Sequence, residues 1–289
     1  MPSMIPSLPT FAGALLAFGL SAAPAQAGPN RTWVSGKGTD SGTCALTAPC
    51  RTFAFAIGQT NAGGEIDVLD PAGYGTVTIN EAISIVNDGV GTASITAGSG
   101  GNAITINAGA SDVHLRGLTI EGLDTGTNGI FYSGGTYGGN FAIENCVIRD
   151  FGGAGIFIQP TGSGVISGVL SKAITNNSGV GIVVNGTLTT GASLNVTIVD
   201  SEASNNGIGI NVASANTAVT VRNVVASNNG NIGLLAQTNA ILRLAQSVVT
   251  GNGIGVQAQT GGTLFSYGDN DIDGNTNNNL GVLTTIPTH

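Results

Sequence analysis

Charge is scarce in this sequence. Of 289 residues only 8 are Lys or Arg and 16 are Asp or Glu, which leaves a net charge of −8 and no basic cluster. That speaks against nucleic acid and anionic membranes as partners, since both need clustered positive charge. A chain so poor in charge suggests a membrane protein, yet after residue 27 no apolar run approaches the roughly 20 residues that a span needs. His114 and His289 are the only histidines, which removes most His-based triads. Zinc-ligand spacing, a phosphate-cradling Gly loop and the dinucleotide Gly motif are missing too.

The first 27 residues read as a targeting segment. Phe11 to Ala23 is apolar and Ala25-Gln26-Ala27 is a small-x-small cleavage site. The departure from the usual pattern is that no Lys or Arg precedes the apolar run. Residues 1–27 are therefore set aside as a signal peptide, residues 28–64 as an N-terminal cap and residues 65–289 as the main body. The expected destination is secreted, periplasmic or cell surface. Cys44 and Cys50 flank a short loop, and in an exported chain they are expected to form a disulfide, the alternative being two free thiols. Cys146 is left over and falls at an apolar position, which reads as an inert core thiol rather than a reactive one.

What the chain has in abundance is Gly, 47 residues, and a repeated phrase. LNVTIVDSEASNNGIGINV (194–212), TAVTVRNVVASNNGNIGLLA (217–236) and AILRLAQSVVTGNGIGVQA (240–258) run apolar strand, polar corner, short strand, Asn/Gly corner, apolar strand. A repeat of about two dozen residues marks a solenoid, in which one unit cannot bury its own apolar face and stacks on the next. Three inward columns follow. One is Ile120, Ile148, Ile174, Ala203, Ala226, Val249 and Ile272. The second is Ile130, Ile156, Ile182, Ile210, Leu234 and Val256. The third is Leu115, Ile143, Val169, Ile198, Val221 and Leu244. Three apolar walls per turn describe a closed triangular coil, and parallel crossovers make it right-handed. Asn176-Asn177, Asn205-Asn206, Asn228-Asn229, Asn252 and Asn275 recur at one corner. Stacked amides there can hydrogen-bond along the axis, and Asn tolerates the left-handed backbone of a sharp corner. The ladder accounts for Asn176-Asn177-Ser178 better than glycosylation does.

TWVSGKGTDSGTCALTAPCRTFAFAI followed by GGEIDVLDPAGYGTVTINEAISI resembles the opening coil of secreted right-handed parallel β-helix proteins, the pectin-lyase-like group. In that group a strand, a Gly-rich loop and a short helix precede the stacked strands. The resemblance covers essentially the whole mature chain and implies an all-β, single-stranded right-handed parallel β-helix. A short N-terminal helix after Pro49 would close its open end. For activity the resemblance is weak, because the group holds lyases, hydrolases and adhesins.

Outward positions carry the candidate chemistry. Arg116 with Glu144, and Glu121 with Arg149, fall one rung apart in two outward columns. Opposite charges at that spacing form ladder salt bridges; the functional alternative is a charged patch, with Asp124 and Asp150 nearby, that binds or cleaves a sugar polymer. Phe131 and Phe157 share an outward column, and exposed rings grip sugar faces. The bland alternative is that the loops 134–140 and 186–193 cover them. Asp269-Asn270-Asp271-Ile272-Asp273-Gly274 matches the first half of a calcium loop, but Leu280 stands where the closing Glu belongs. Read as a rung, Asp269, Asp271 and Asp273 simply face water, so no cofactor is expected beyond a weak calcium alternative. Lys172 aligns beside inward positions and is expected to turn out at the corner. His114 reads as a surface residue.

Three function classes remain open. The first is an exported surface or structural module that binds polysaccharide or a cell-surface glycan. The second is a carbohydrate-active enzyme, a lyase more than a hydrolase, and the third a self-associating, adhesin-like scaffold. Three carboxylates converging in one groove would favour the enzyme, but no such cluster is legible within one or two rungs. Oligomeric state is not legible either.

Overall fold

A computed structural model describes residues 1, 28–134, 138–191 and 193–287. The apolar segment 11–23, the site Ala25-Gln26-Ala27, Tyr137 and His289 lie outside these residues. The short alternating runs form strands, and all pairings between strands are parallel, with each strand joined to its counterpart one rung later. Eleven strands stack into the first wall, from Arg31–Val34 and Gly64–Val68 to Thr263–Ser266 and Leu283–Thr285. A second sheet of 16 strands folds into two limbs joined through the long strands Leu118–Tyr132 and Val147–Ile158. One limb, the second wall, holds Ile174–Asn176, Glu202–Ser204, Val225–Ser227 and Val248–Thr250. The other, the third wall, holds Val180–Asn185, Ile208–Ala213, Ile232–Gln237 and Ile254–Gln259. The core is one continuous apolar column enclosed by the three walls.

The column Ile130, Ile156, Ile182, Ile210, Leu234, Val256 stacks residue on residue, and all six side chains are fully buried. Burying each such aliphatic contributes about 1.5–3 kcal/mol. The other two columns hold except in one rung. There Leu170, not Val169, pairs with Ile143 and Ile198, and Thr175, not Ile174, pairs with Ile148 and Ala203. Val169 is exposed and Ile174 half-buried, whereas Leu170 and Thr175 are fully buried. The alignment of this rung thus slips by one residue. Gly168 is part of the cause: a side chain there would strike the ring of Phe141, which lies inward at the same level one rung earlier. The buried Thr175 hydroxyl is satisfied by the Glu202 carbonyl at 3.2 Å. The slip also places Lys172 at the corner, exposed, with φ +52°.

That corner, between the first and second walls, has a left-handed residue in six consecutive rungs: Gly117, Asn145, Lys172, Asp200, Asn223 and Gln246. The next corner carries the amide ladder, and it works differently from a simple side-chain stack. Asn206 Oδ1 accepts from the Ser178 backbone N–H at 3.1 Å, and Asn206 Nδ2 donates to the carbonyls of Thr175 and Ser204 at 3.1 Å. Asn229, Asn252 and Asn275 repeat the pattern, and their amides also link to one another at 2.8–2.9 Å. These inner Asn residues therefore replace backbone partners that a sharp corner leaves orphaned. The expected place of Asn176-Asn177 in the ladder is one residue off: Ser178 fills it, its Oγ accepting from the Phe151 N–H at 3.3 Å. The residues just before, Asn177, Asn205 and Asn228, supply the positive φ of 50–58°. Gly209 makes room, since a Cβ there would stand 2.8 Å from Asn229 Nδ2.

At the N-terminal end the helix Phe53–Ile57 covers the first rungs with Phe53 and Ala56. Thr52 caps it, accepting from the Phe55 N–H at 3.2 Å. Cys44 and Cys50 are joined in a disulfide. The cap segment is also part of the stack, because Arg31–Val34 pairs with Gly64–Val68. Asp70 clasps the two: it accepts from the Gly36 N–H at 2.6 Å, the Ser35 hydroxyl at 2.7 Å and the Tyr74 hydroxyl at 2.8 Å. The Gly36 N–H foremost, then Ser35, holds the Asp70 carboxyl below the usual carboxylate range.

Two outcomes follow. Asn206→Leu orphans the Ser178 N–H and the Thr175 and Ser204 carbonyls, and at the low end of about 1–3 kcal/mol per group it should cost about 3 kcal/mol. Asn205→Gly, on the exposed left-handed position, should be near neutral. Chemical denaturation of both variants checks this, and equal midpoints would remove the ladder from the stability account. The second concerns acid. Asp70 has a depressed native pKa, so its contribution is complete above the unfolded carboxylate value of about 3.9 and is lost as pH falls through the native value. Melting temperature should drop in that window for the parent and drop less for Asp70→Asn; parallel curves would show that Asp70 is not the clasp.

Candidate functional site

The six outward residues singled out from the sequence lie on three different walls. Arg116 and Glu144 sit opposite each other in register on the first wall, but they do not form the expected ladder pair. Arg116 pairs with Asp88, in the turn of the preceding rung. His114 faces the same side of the strand as Arg116, and Glu144 Oε2 lies 3.2 Å from His114 Nε2 instead. Glu121 and Arg149, on the second wall, do form the ladder ion pair. Phe131 and Phe157, on the third wall, are half-buried with ring centroids 5.5 Å apart and tilted by 47°. Val183 and Leu235, further along their column, are buried. Of the other aromatics in this stretch, Tyr132, Phe141 and Phe151 are core residues. Asp269 accepts from the Gln246 N–H and Asp273 from the Asn278 amide. Among the described residues no group of three or more His, Cys, Asp or Glu side chains is placed to hold a metal ion.

A broad concavity among the described residues lies elsewhere, on the outer face of the first wall. A groove of about 810 Å³ runs across seven stacked strands, from Ile83–Val86 to Ile241–Ala245. At about 4.8 Å per strand its length is on the order of 30 Å. The central column along its floor is Ser84, His114, Ala142, Val169, Thr197, Thr220 and Arg243, each in register with the next. A parallel column supplies Asn140, Ser167, Asn195 and Ala218. Small side chains make the hollow; its surface is more apolar than polar, with hydroxyls and amides set between alanine and valine side chains.

Ionisable groups are few and sit toward the ends. Asp112 Oδ1 is occupied by the Asn140 backbone and side-chain amides at 3.2 and 2.9 Å. His114 Nε2 faces Glu144 off the hydrogen-bond direction and has no hydrogen-bond partner among the described residues. Arg243 lies over the ring of Phe265, 5.8 Å from its centroid. A second hollow, of about 540 Å³, opens at the corner beyond the groove between Asp88, Arg116, Glu144 and Lys172.

Sequence reasoning missed the groove because most of its floor is Ala, Val, Ser, Thr and Asn, and its ionisable residues Asp112, His114 and Arg243 come from different rungs. One signal was available. The connections from third wall to first span 107–112, 133–138, 159–165 and 186–193, but only 214–216, 238–240 and 260–262 in later rungs. The longer ones lead directly into Val113, Gly139, Ile166 and Leu194, on the groove strands. They are tied to one another, as where the Thr190 N–H donates to the Gly162 carbonyl at 2.7 Å.

Cys146 faces the core, fully buried, and burial pushes its thiol up to about 11. The neutral thiol is therefore the species present at neutral pH. Native protein should be silent to iodoacetamide and should label only on unfolding; rapid native labelling would contradict the core placement.

A three-walled parallel coil with a lateral groove defines the β-helix class of proteins. The right handed beta helix region family matches residues 104–277, more than half the chain, and the protein belongs to that family. Among solved structures it is similar to the pectate lyase Pel9A, with a TM-score of 0.59 and 16% identity, over 91% of this chain and 78% of that one. At that identity the likeness is one of fold. A rhamnogalacturonan lyase aligns with a TM-score of 0.46 and 13% identity, over 81% of this chain and 75% of that one. No curated protein sequence matches.

Proposed function

We propose that this is an exported protein that binds an extended polysaccharide along the first-wall groove, with the polymer axis parallel to the coil. The observation that carries the reading is the groove itself: about 810 Å³, elongated, and floored by hydroxyls and amides interleaved with alanine and valine side chains, the mixed surface that a sugar ring's hydroxyls and apolar faces both suit. A sugar chain offers the complementary surface, with hydroxyls that both donate and accept. The shared fold of a protein named for acting on pectate supports a carbohydrate ligand. Binding is favoured over cleavage, because His114 and Arg243 stand five strands apart, about 24 Å, and do not act on one bond.

Val169 and Thr197 are exposed on the groove floor, so Val169→Trp with Thr197→Trp should fill it without disturbing the core. Polysaccharide affinity, read by affinity electrophoresis, should fall about tenfold or more, with the β circular-dichroism signal unchanged. Phe131→Ala with Phe157→Ala should leave binding intact. The opposite result, loss with the Phe pair and none with the Trp pair, would move the polymer to the third wall.

A further inference from the structure

We infer that the polymer held by this groove is a neutral polysaccharide and not a polyuronate. This rests on the groove reading above and adds the charge class of the ligand. The groove floor spans seven strands, and a sugar chain lying along it meets about one sugar per strand step of about 4.8 Å. A polyuronate would therefore present a row of carboxylates, on the order of six, to this surface. Against them the groove sets Arg243 alone as a permanent cation, at one end, with Asp112 of opposite sign at the other. Between these ends the floor residues Ala142, Ser167, Val169, Asn195, Thr197 and Thr220 carry no charge.

The cations near the groove do not add up to a row: Arg222, exposed two residues beyond Thr220 on its strand, donates to the Gln246 side chain at 3.0 Å and adds a single charge at the Arg243 end. Arg116 is held by Asp88, and Glu144 stands beside His114. In the corner hollow Arg116 and Lys172 are balanced by Asp88 and Glu144. The whole chain carries −8, which repels a polyanion at long range. Desolvating a row of carboxylates on a surface without cations is costly. Hydroxyls suit the floor in the other direction, since Ser, Thr and Asn both donate and accept, whereas a carboxylate only accepts.

The test is a panel run on the purified full chain: β-glucan, xylan, galactomannan and polygalacturonate, each at low and high salt, with affinity read by electrophoresis in polymer-containing gels. At least one neutral polymer should bind about tenfold or more tighter than polygalacturonate, with little change between the two salts. Val169→Trp with Thr197→Trp should abolish that binding. Thr197→Lys with Thr220→Lys should create a salt-sensitive affinity for polygalacturonate. Tight, steeply salt-dependent binding of polygalacturonate by the parent, lost in the Trp variant, would overturn the neutral assignment while leaving the groove reading standing. Binding of no polymer, or binding indifferent to the Trp pair, would overturn the groove reading and this inference with it.

Discussion

Backbone hydrogen bonds that run along the coil axis are the constraint on which this molecule depends. Strands of three to six residues are too short to stand alone, and each exists because a rung above and a rung below supply its partners. The chain must then return to the same three walls after every circuit. That demand falls on the corners. The first is met by a left-handed residue in six consecutive rungs, with φ between +49° and +75°, the second by a left-handed residue followed by a buried Ser or Asn whose side chain bonds backbone groups one rung away. Glycines behind the ladder leave the amides space. Low charge follows from the same geometry, since much of each circuit is wall interior or tight corner.

How far this was legible depended on parity. The third-wall column read correctly throughout because each of its residues directly follows a glycine, Gly129, Gly155, Gly181, Gly209, Gly233 or Gly255, which marks the phase even where a second apolar residue comes next. The rung at 166–176 misread because Val169 and Leu170 are adjacent apolar residues, as are Ala173 and Ile174, and either member of each pair satisfies an inward slot. What decides between them is three-dimensional: the Phe141 ring occupying the space above Gly168, and a corner that accepts Lys172 at positive φ. The helix and the joined cysteines, by contrast, were local patterns and emerged as expected.

The site was less visible for a related reason. Column alignment tells which residues are stacked neighbours, but not which of several stacked charges meet. Arg116 had Glu144 in register and took Asp88 from a turn; Arg149 paired with Glu121 as aligned, although Asp150 also lies 3.7 Å from its guanidinium. Nor does alignment tell how the outward columns are disposed around the coil, and those of Phe131, Arg116 and Glu121 lie on three different walls. Most of the groove floor is alanine, valine, serine, threonine and asparagine, unremarkable one at a time, and its shape comes from their being small together.

The unequal connections between third and first walls have a wider consequence. They leave and rejoin the coil at the same two points in every circuit, whatever their length, so the register of the walls does not depend on them. Lengthening such a segment carries only a slow entropic cost, about 0.6 kcal/mol per doubling. In this architecture the scaffold and its rim are inherited on separate terms. Drift in the rim can alter what the molecule holds while foldability stays nearly constant, and a segment grafted there from another β-helix would arrive on a surface already built to accept it.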